Sequence, residues 1–196
     1  ATPITRSFGW IDADARIGDV DATERARIID NVLATRLAVS NAHALARTEI
    51  AAVMDSAFVQ QHLSHLMKAD VESTLLASLD STVLQGMMDV RFETDSTTME
   101  VWDWKTNVIR NIEEIAALAI AYRPQAQAYA WLCLQAYPHI HTVRTRLLFT
   151  KAVGLFSESW VVSDEWTREM SSEIEASIIS SVHAVIARRR KRSALK

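Results

Sequence analysis

Asp89 in "GMMDV", with Asp103 and Lys105 in "VWDWKT", are residue types that do hydrolytic chemistry when a fold gathers them. Two facing carboxylates repel each other and burial raises the cost, so a chain keeps such a pair when something positive fills the gap. Lys105 alone serves both acids poorly; a divalent cation serves them well. Two carboxylates with waters and one or two further oxygens make the hard oxygen site that Mg²⁺ or Mn²⁺ prefers. Beside such an ion, the Lys105 ammonium is suited to hold an attacking water or to neutralise charge growing on a phosphoryl oxygen. The competing reading is a structural Asp–Lys pair at a sheet end, because short D-x-K triplets are abundant by chance.

Whether these groups meet depends on the strands that carry them. Segments 71–79, 82–94 and 97–105 are β-branched, aromatic and alternating, and short polar turns separate them. If the second and third pair about the turn "TDSTT" centred on Ser96, position i faces position 192 − i and Asp89 lies opposite Asp103. Cβ atoms so placed are roughly 5 Å apart. Lys105 shares their face by the period of two, and Met88, Val90, Phe92, Trp102 and Trp104 are expected on the other, in a core. A slip of one residue would send the two acids to opposite faces.

The rest of the chain must frame this hairpin. Residues 21–38 place Ile28, Ile29, Val32, Leu33 and Leu37 at helical spacing, with Asp21 as N-cap and Glu24 three positions on. Residues 42–67 continue the helical pattern through Ile50, Val53, Met54 and Phe58. After the three strands, 111–121 predicts a helix, and Pro124 predicts the first turn of a new one that stops before Pro138. Two strands are expected over 140–152 and 155–162, joined near Gly154, and a last helix from Ser163 or Asp164 into "ARRRKRS". That order describes an α/β domain with one central mixed β-sheet flanked by helices. A single domain over 1–196 is expected, with a mainly helical part at 1–69, a sheet with helices at 70–163 and a C-terminal helix with a basic tail at 164–196.

Composition narrows the function classes. Apolar residues make up 49% and charged residues 23% of the 196, which excludes disorder as the main state. A net charge of −3 gives no global basic field, although a site can be locally basic. Cys133 is the sole cysteine, so neither an intrachain disulfide nor a cysteine-ligated zinc or iron–sulfur centre can form. No apolar run approaches the roughly 18 residues of a membrane span and the opening residues do not read as a secretory signal. The expectation is a cytoplasmic protein with no membrane partner.

"GMMD" on one strand, "VWDWKT" on the next and "YRPQAQAYA" on the helix after them resemble the RecB-like nuclease domain of the PD-(D/E)xK superfamily. In particular they are similar to the C-terminal nuclease domain of RecB/AddA-type helicase–nucleases. The matching positions are Gly86 and Asp89, then Asp103, Lys105 and Thr106, then Tyr122, Gln125 and Tyr129. The resemblance covers about residues 70–135. It implies a restriction-endonuclease-like core and Mg²⁺-dependent (or Mn²⁺-dependent) hydrolysis of DNA, from a single strand or a duplex end, in repair or recombination. Asp89 and Asp103 would hold the metal, with the backbone carbonyl of Trp104 as a further ligand, and Lys105 would orient the nucleophilic water. Glu72 matches the upstream acid that completes the metal or water shell; its alternative is a solvated edge-strand glutamate. Gln125 and Tyr129, one helical turn apart, would face the site or the DNA backbone, the alternative being a polar cap on a packed helix.

Relatives often carry a histidine on an early helix shortly after a glycine. Here "WIDADARI" follows Gly9 without one, and His43 lacks the glycine context. The alternative function is therefore a catalytically weakened nuclease-fold module that binds DNA or docks a helicase. No phosphate-binding Gly-rich loop occurs in the chain, so the implied helicase motor would lie on a longer parent chain or on a partner subunit. His62 and His65 read as a solvated helical face, and the run 188–192 as a helix end suited to the C-terminal dipole or to phosphates.

Overall fold

The computed structural model describes residues 40–156 and 159–193, with the isolated positions 23, 26, 27 and 30. The Gly9 segment and most of the helix expected over 21–38 lie outside the described residues. So do the side chains of His43 and of the basic run at 188–192.

Within residues 40–105, helices α1 (Ser40–Asp55), α2 (Ala57–Gln61) and α3 (Leu63–Leu66) precede a three-stranded meander of β1 (Asp70–Leu79), β2 (Thr82–Glu93) and β3 (Thr98–Lys105). Helix α4 (Ile112–Ala136) crosses to β4 (Thr142–Phe149), β5 (Val161–Thr167) follows, and α5 (Ser171–Ser193) closes the order. The sheet runs β1-β2-β3-β4-β5, antiparallel except for the parallel pair β3–β4 that α4 connects. This is the α/β architecture with a five-stranded mixed sheet packed against helices. Among the described residues no helix is long and apolar enough to cross a membrane.

Each face of the sheet carries a core. On one, α4 and α5 cover Met88, Met99 and Val101 with Trp131, Leu132, Ile174 and Ile178. On the other, the early helices cover Val90, Phe92, Trp102, Leu148 and Phe149 with Val53 and Val59. The β2–β3 register pairs Val90 with Trp102, Arg91 with Val101, Phe92 with Glu100 and Glu93 with Met99, which is the 192 − i pairing expected from the polar turn.

Met88 departs from the expected side: it joins the α4 core while Val90, two residues on, joins the other. The alternation resets at Glu72, which stands between the pairs Val71–Val90 and Ser73–Met88 with φ +50 and is itself unpaired. A left-handed residue inside a strand turns the following side chains over, at a cost of order 1–3 kcal/mol for a non-glycine. Asp89 occupies the matching position on β2.

The helix expected to restart at Pro124 is instead one 25-residue helix with Pro124 inside it. Proline leaves the Ile120 carbonyl without its helical donor, and Ile120 is 75% exposed, so water can serve it. Asn111 caps the start by accepting from the Glu114 N–H at 3.0 Å, and the Glu114 carboxylate reaches back to the Arg110 N–H at 2.9 Å.

The fifth strand also lies later than expected, and α5 begins at Ser171 rather than at Ser163 or Asp164. Ser163 and Asp164 are good helix caps locally, but cross-strand partners decide the outcome. Arg144 pairs with Glu165 at 2.9 Å, Arg146 donates to Ser163 Oγ at 2.8 Å, and Trp166 Nε1 donates to Thr145 Oγ1 at 2.9 Å. The pair His62 and His65 is packed rather than solvated. His62 Nδ1 lies 2.7 Å from the Phe58 carbonyl and its ring meets Trp102, while His65 stacks on Phe92.

Candidate active site

The β2–β3 ladder ends at the Val90–Trp102 pair, one position short of Asp89 and Asp103. There a side chain takes over from the backbone: Asp89 Oδ2 accepts the Trp104 N–H at 2.8 Å. This bond anchors Asp89 beside Asp103 without spending its other oxygen.

Asp103 is 6% and Lys105 8% exposed, and the two form an ion pair through Asp103 Oδ2 and Lys105 Nζ. Apart from that pair, the buried Oδ2 has no hydrogen-bond donor. Burial pushes the Asp103 carboxyl above the ordinary carboxylate range; Lys105 opposes the shift and the neighbouring Asp89 adds to it. Asp103 and Asp89 therefore compete for positive charge, as facing acids should.

Lys105 is held on three sides. Its Nζ donates to Gln125 Oε1 at 2.8 Å, Gln125 Nε2 donates to the Tyr129 oxygen at 2.7 Å, and the Tyr129 hydroxyl donates to the Met87 carbonyl at 2.7 Å. The chain of donors fixes which end of the Gln125 amide faces the lysine. Burial raises the Tyr129 phenol, and the charges of Asp103 and Asp89 add to that, so it stays a neutral donor. The third contact is the Tyr122 ring, 3.9 Å from Nζ to its centroid, with the Tyr122 hydroxyl donating to Asn107 Oδ1 at 3.2 Å.

Helix α4 delivers Tyr122, Gln125 and Tyr129 because spacings of three and four place them on one face. The helix comes this close to β2 because position 86 is glycine: a Cβ there would lie 2.6 Å from Leu132 Cδ1 and 3.1 Å from the Tyr129 ring.

No family model matches this chain, and no curated protein does.

The structure brings together Asp89, Asp103, Lys105, Gln125 and Tyr129. Glu72 stands opposite Asp89 in register, but it is exposed, and among the described residues no three His, Cys, Asp or Glu side chains converge to hold a metal ion. Tyr122 is the contributor whose role the sequence reading missed. Its place seven residues before Tyr129 and three before Gln125 was the available signal, since that puts it on the same helical stripe. Nothing at the level of spacing announces a ring packed on an ammonium.

The donor set suits a small hard cation. Mg²⁺ is commonly held by one or two carboxylates and keeps several waters, so Asp89 and Asp103 are enough protein ligands. Asp103 Oδ2 is buried with the Lys105 ammonium as its one partner, and a carboxylate oxygen so placed keeps a lone pair for such an ion.

Proposed function

We propose that this chain is a metal-dependent deoxyribonuclease domain that hydrolyses phosphodiester bonds of DNA. It would be the exonuclease part of a helicase–nuclease used in repair or recombination. The observation that carries the reading is the hairpin register, which sets Asp89 beside Asp103 while Lys105 pairs with Asp103 in a buried site. The motif likeness over residues 70–135 supports it and supplies the substrate class.

Asp89 and Asp103 would hold Mg²⁺ or Mn²⁺, with the Trp104 carbonyl and Glu72 as further candidates for its shell. When bound, the ion supplies Lewis-acid polarisation of a phosphoryl oxygen and lowers the pKa of a coordinated water. The chain's own part is positioning. Gln125 and Tyr122 hold the Lys105 ammonium against the Asp103 carboxylate, where it can donate to an incoming water or to an oxygen gaining charge. The Tyr129 hydroxyl, tied to Met87, keeps Gln125 from swinging away.

The deciding experiment is degradation of linear DNA by the purified chain with Mg²⁺ and with EDTA. Hydrolysis that requires the metal is expected; hydrolysis that persists in EDTA removes the mechanism. Tyr122 gives a finer check. Tyr122→Phe keeps the ring under Lys105 and should cleave within about twofold of wild type. Tyr122→Leu should lose about tenfold, in line with a partly desolvated cation–π contact of ~1–2 kcal/mol. Equal rates for the two variants would remove the ring's role.

One observation favours a second reading, a weakened nuclease fold that binds DNA or docks a helicase. Glu72 is exposed rather than gathered into the acidic pair. DNA binding with no cleavage in Mg²⁺, Mn²⁺ or Co²⁺ would select it.

A further inference from the structure

We propose that the outer edge of β1 is a docking strand for an extended, basic segment of a partner protein, which adds to the sheet beside Ser73–Leu79. The proposal stands apart from the nuclease reading, because neither Asp103 nor Lys105 enters it.

Strand β1 closes one side of the sheet, and among the described residues no backbone group beyond β2 bonds to it. The two-residue loop Asp80–Ser81 closes on the Leu79–Thr82 pair. Counting back by twos, Leu79, Ala77, Leu75 and Ser73 turn their N–H and C=O groups to β2, and Ser78, Leu76 and Thr74 turn theirs outward. Proteins usually protect an edge of this length with lysine, proline or a cover. Residues 70–79 contain neither lysine nor proline, and Glu72 at φ +50 interrupts only the start of the strand. The opposite edge, β5, is shorter and carries Asp164 and Glu165, which pair with Arg123 and Arg144.

The face beside the free edge is apolar. Leu76 is 62%, Val83 61% and Met87 60% exposed. Leu76 pairs with Gln85, so Val83 and Met87 are its diagonal neighbours on the same side of the sheet. Large apolar side chains left together in water mark a surface that a partner covers.

Charge identifies the partner. From Ala69 to Val90 the chain has Asp70, Glu72, Asp80 and Asp89 and no lysine or arginine, so a phosphate backbone is repelled there. A second copy pairing antiparallel about Leu76 would set Glu72 of each copy against Asp80 of the other, and like charges directly opposite destabilise a sheet. Glu72 and Asp80 are both exposed and stand at the two ends of the free edge. The segment that fits is extended, with a lysine or arginine at each end. Between them, β-branched apolar residues on alternate positions cover Leu76.

The test uses the purified chain and three labelled nine-residue peptides, read by fluorescence anisotropy. All alternate valine with threonine; one has lysine at both ends, one glutamate at both ends, and one has lysine ends with proline as its central residue. Wild type should bind the lysine peptide and bind the other two at least tenfold more weakly, since one loses the charge pairing and the other a ladder N–H. On binding, amide hydrogen exchange should slow most at Thr74, Leu76 and Ser78. Leu76→Lys changes an exposed position, so it should keep the wild-type melting temperature while losing the lysine peptide at least tenfold. Asp80→Asn tolerates the positive φ of that turn and should cut the preference for lysine over glutamate ends at least threefold. Equal affinity for the three peptides, no binding of the lysine peptide up to ~1 mM, or binding unchanged in Leu76→Lys overturns the proposal. So does a wild-type chain whose self-association Leu76→Lys abolishes, which would make a second copy the occupant.

Discussion

Replacing Asp103 with Asn is expected to lower Mg²⁺-dependent cleavage by at least ~10²–10³-fold while barely moving the melting temperature. The two effects separate because the carboxylate is useful to chemistry and costly to the fold. Burial already pushes this carboxyl above its ordinary range, and Asp89 adds to the push. Asparagine keeps the shape, ends the repulsion and loses the pairing with Lys105, so gains and losses nearly cancel. Lys105→Met should lose activity as severely but also lose stability, by about 3–5 kcal/mol, since it leaves a buried carboxylate beside another with no cation. The pH dependence follows from the direction of the shift. An acid whose folded pKa is raised favours the fold fully below its unfolded value, and that advantage fades as pH rises through the folded one. Removing Lys105 raises that value further, so the variant should recover stability from neutral to mildly acidic pH. Thermal melts of the two variants across that range check it; a Lys105→Met protein as stable as Asp103→Asn at neutral pH would contradict the buried pairing.

The second large effect lies on the opposite face of the sheet. Glu100 is 1% exposed and accepts from Arg146 Nε at 2.8 Å, Arg146 Nη2 at 2.6 Å and Trp102 Nε1 at 2.8 Å. Burial alone would push its carboxyl up, but the Arg146 and Trp102 hydrogen bonds and the Arg146 charge outweigh it and hold it below the ordinary range. Arg146→Met removes the cation and strands the carboxylate. A loss of about 3–5 kcal/mol is expected, a fall of roughly 10 °C in Tm for a chain of this size. A group whose folded pKa is depressed stabilises above its unfolded value and ceases to as pH falls through the folded one. The gap between variant and wild type should therefore close in strong acid. Replacing both partners, as Glu100→Met with Arg146→Met, should restore much of the loss, because the pair's stability depends on completeness rather than on charge. Cleavage per folded molecule should stay near wild type in all of them. Equal Tm values for wild type and Arg146→Met would contradict the account.

Much of the site was legible because it is built from local signals. A polar turn between two alternating segments fixed the register to the residue, and helical spacing placed Gln125 and Tyr129 on one stripe. The failures share a cause as well. Met88 and Val90 pack on opposite faces at the level where β1 carries Glu72 at φ +50, and nothing in "VEST" requires a glutamate to adopt it. Ser163 and Asp164 read as caps, yet a ladder to β4 claims them. The partner of Glu100, Arg146, sits 46 positions away on a parallel neighbour, beyond any local pattern. Pro124 reads as a helix start, but one exposed turn is enough to carry it inside a helix that packing holds on both sides.

The most direct measurement is anomalous scattering from a crystal soaked in Mn²⁺. The account predicts a peak between the carboxylates of Asp89 and Asp103, next to the Lys105 ammonium, and no peak there in Asp103→Asn. A wild-type crystal with no manganese between those two aspartates would contradict the metal-dependent site.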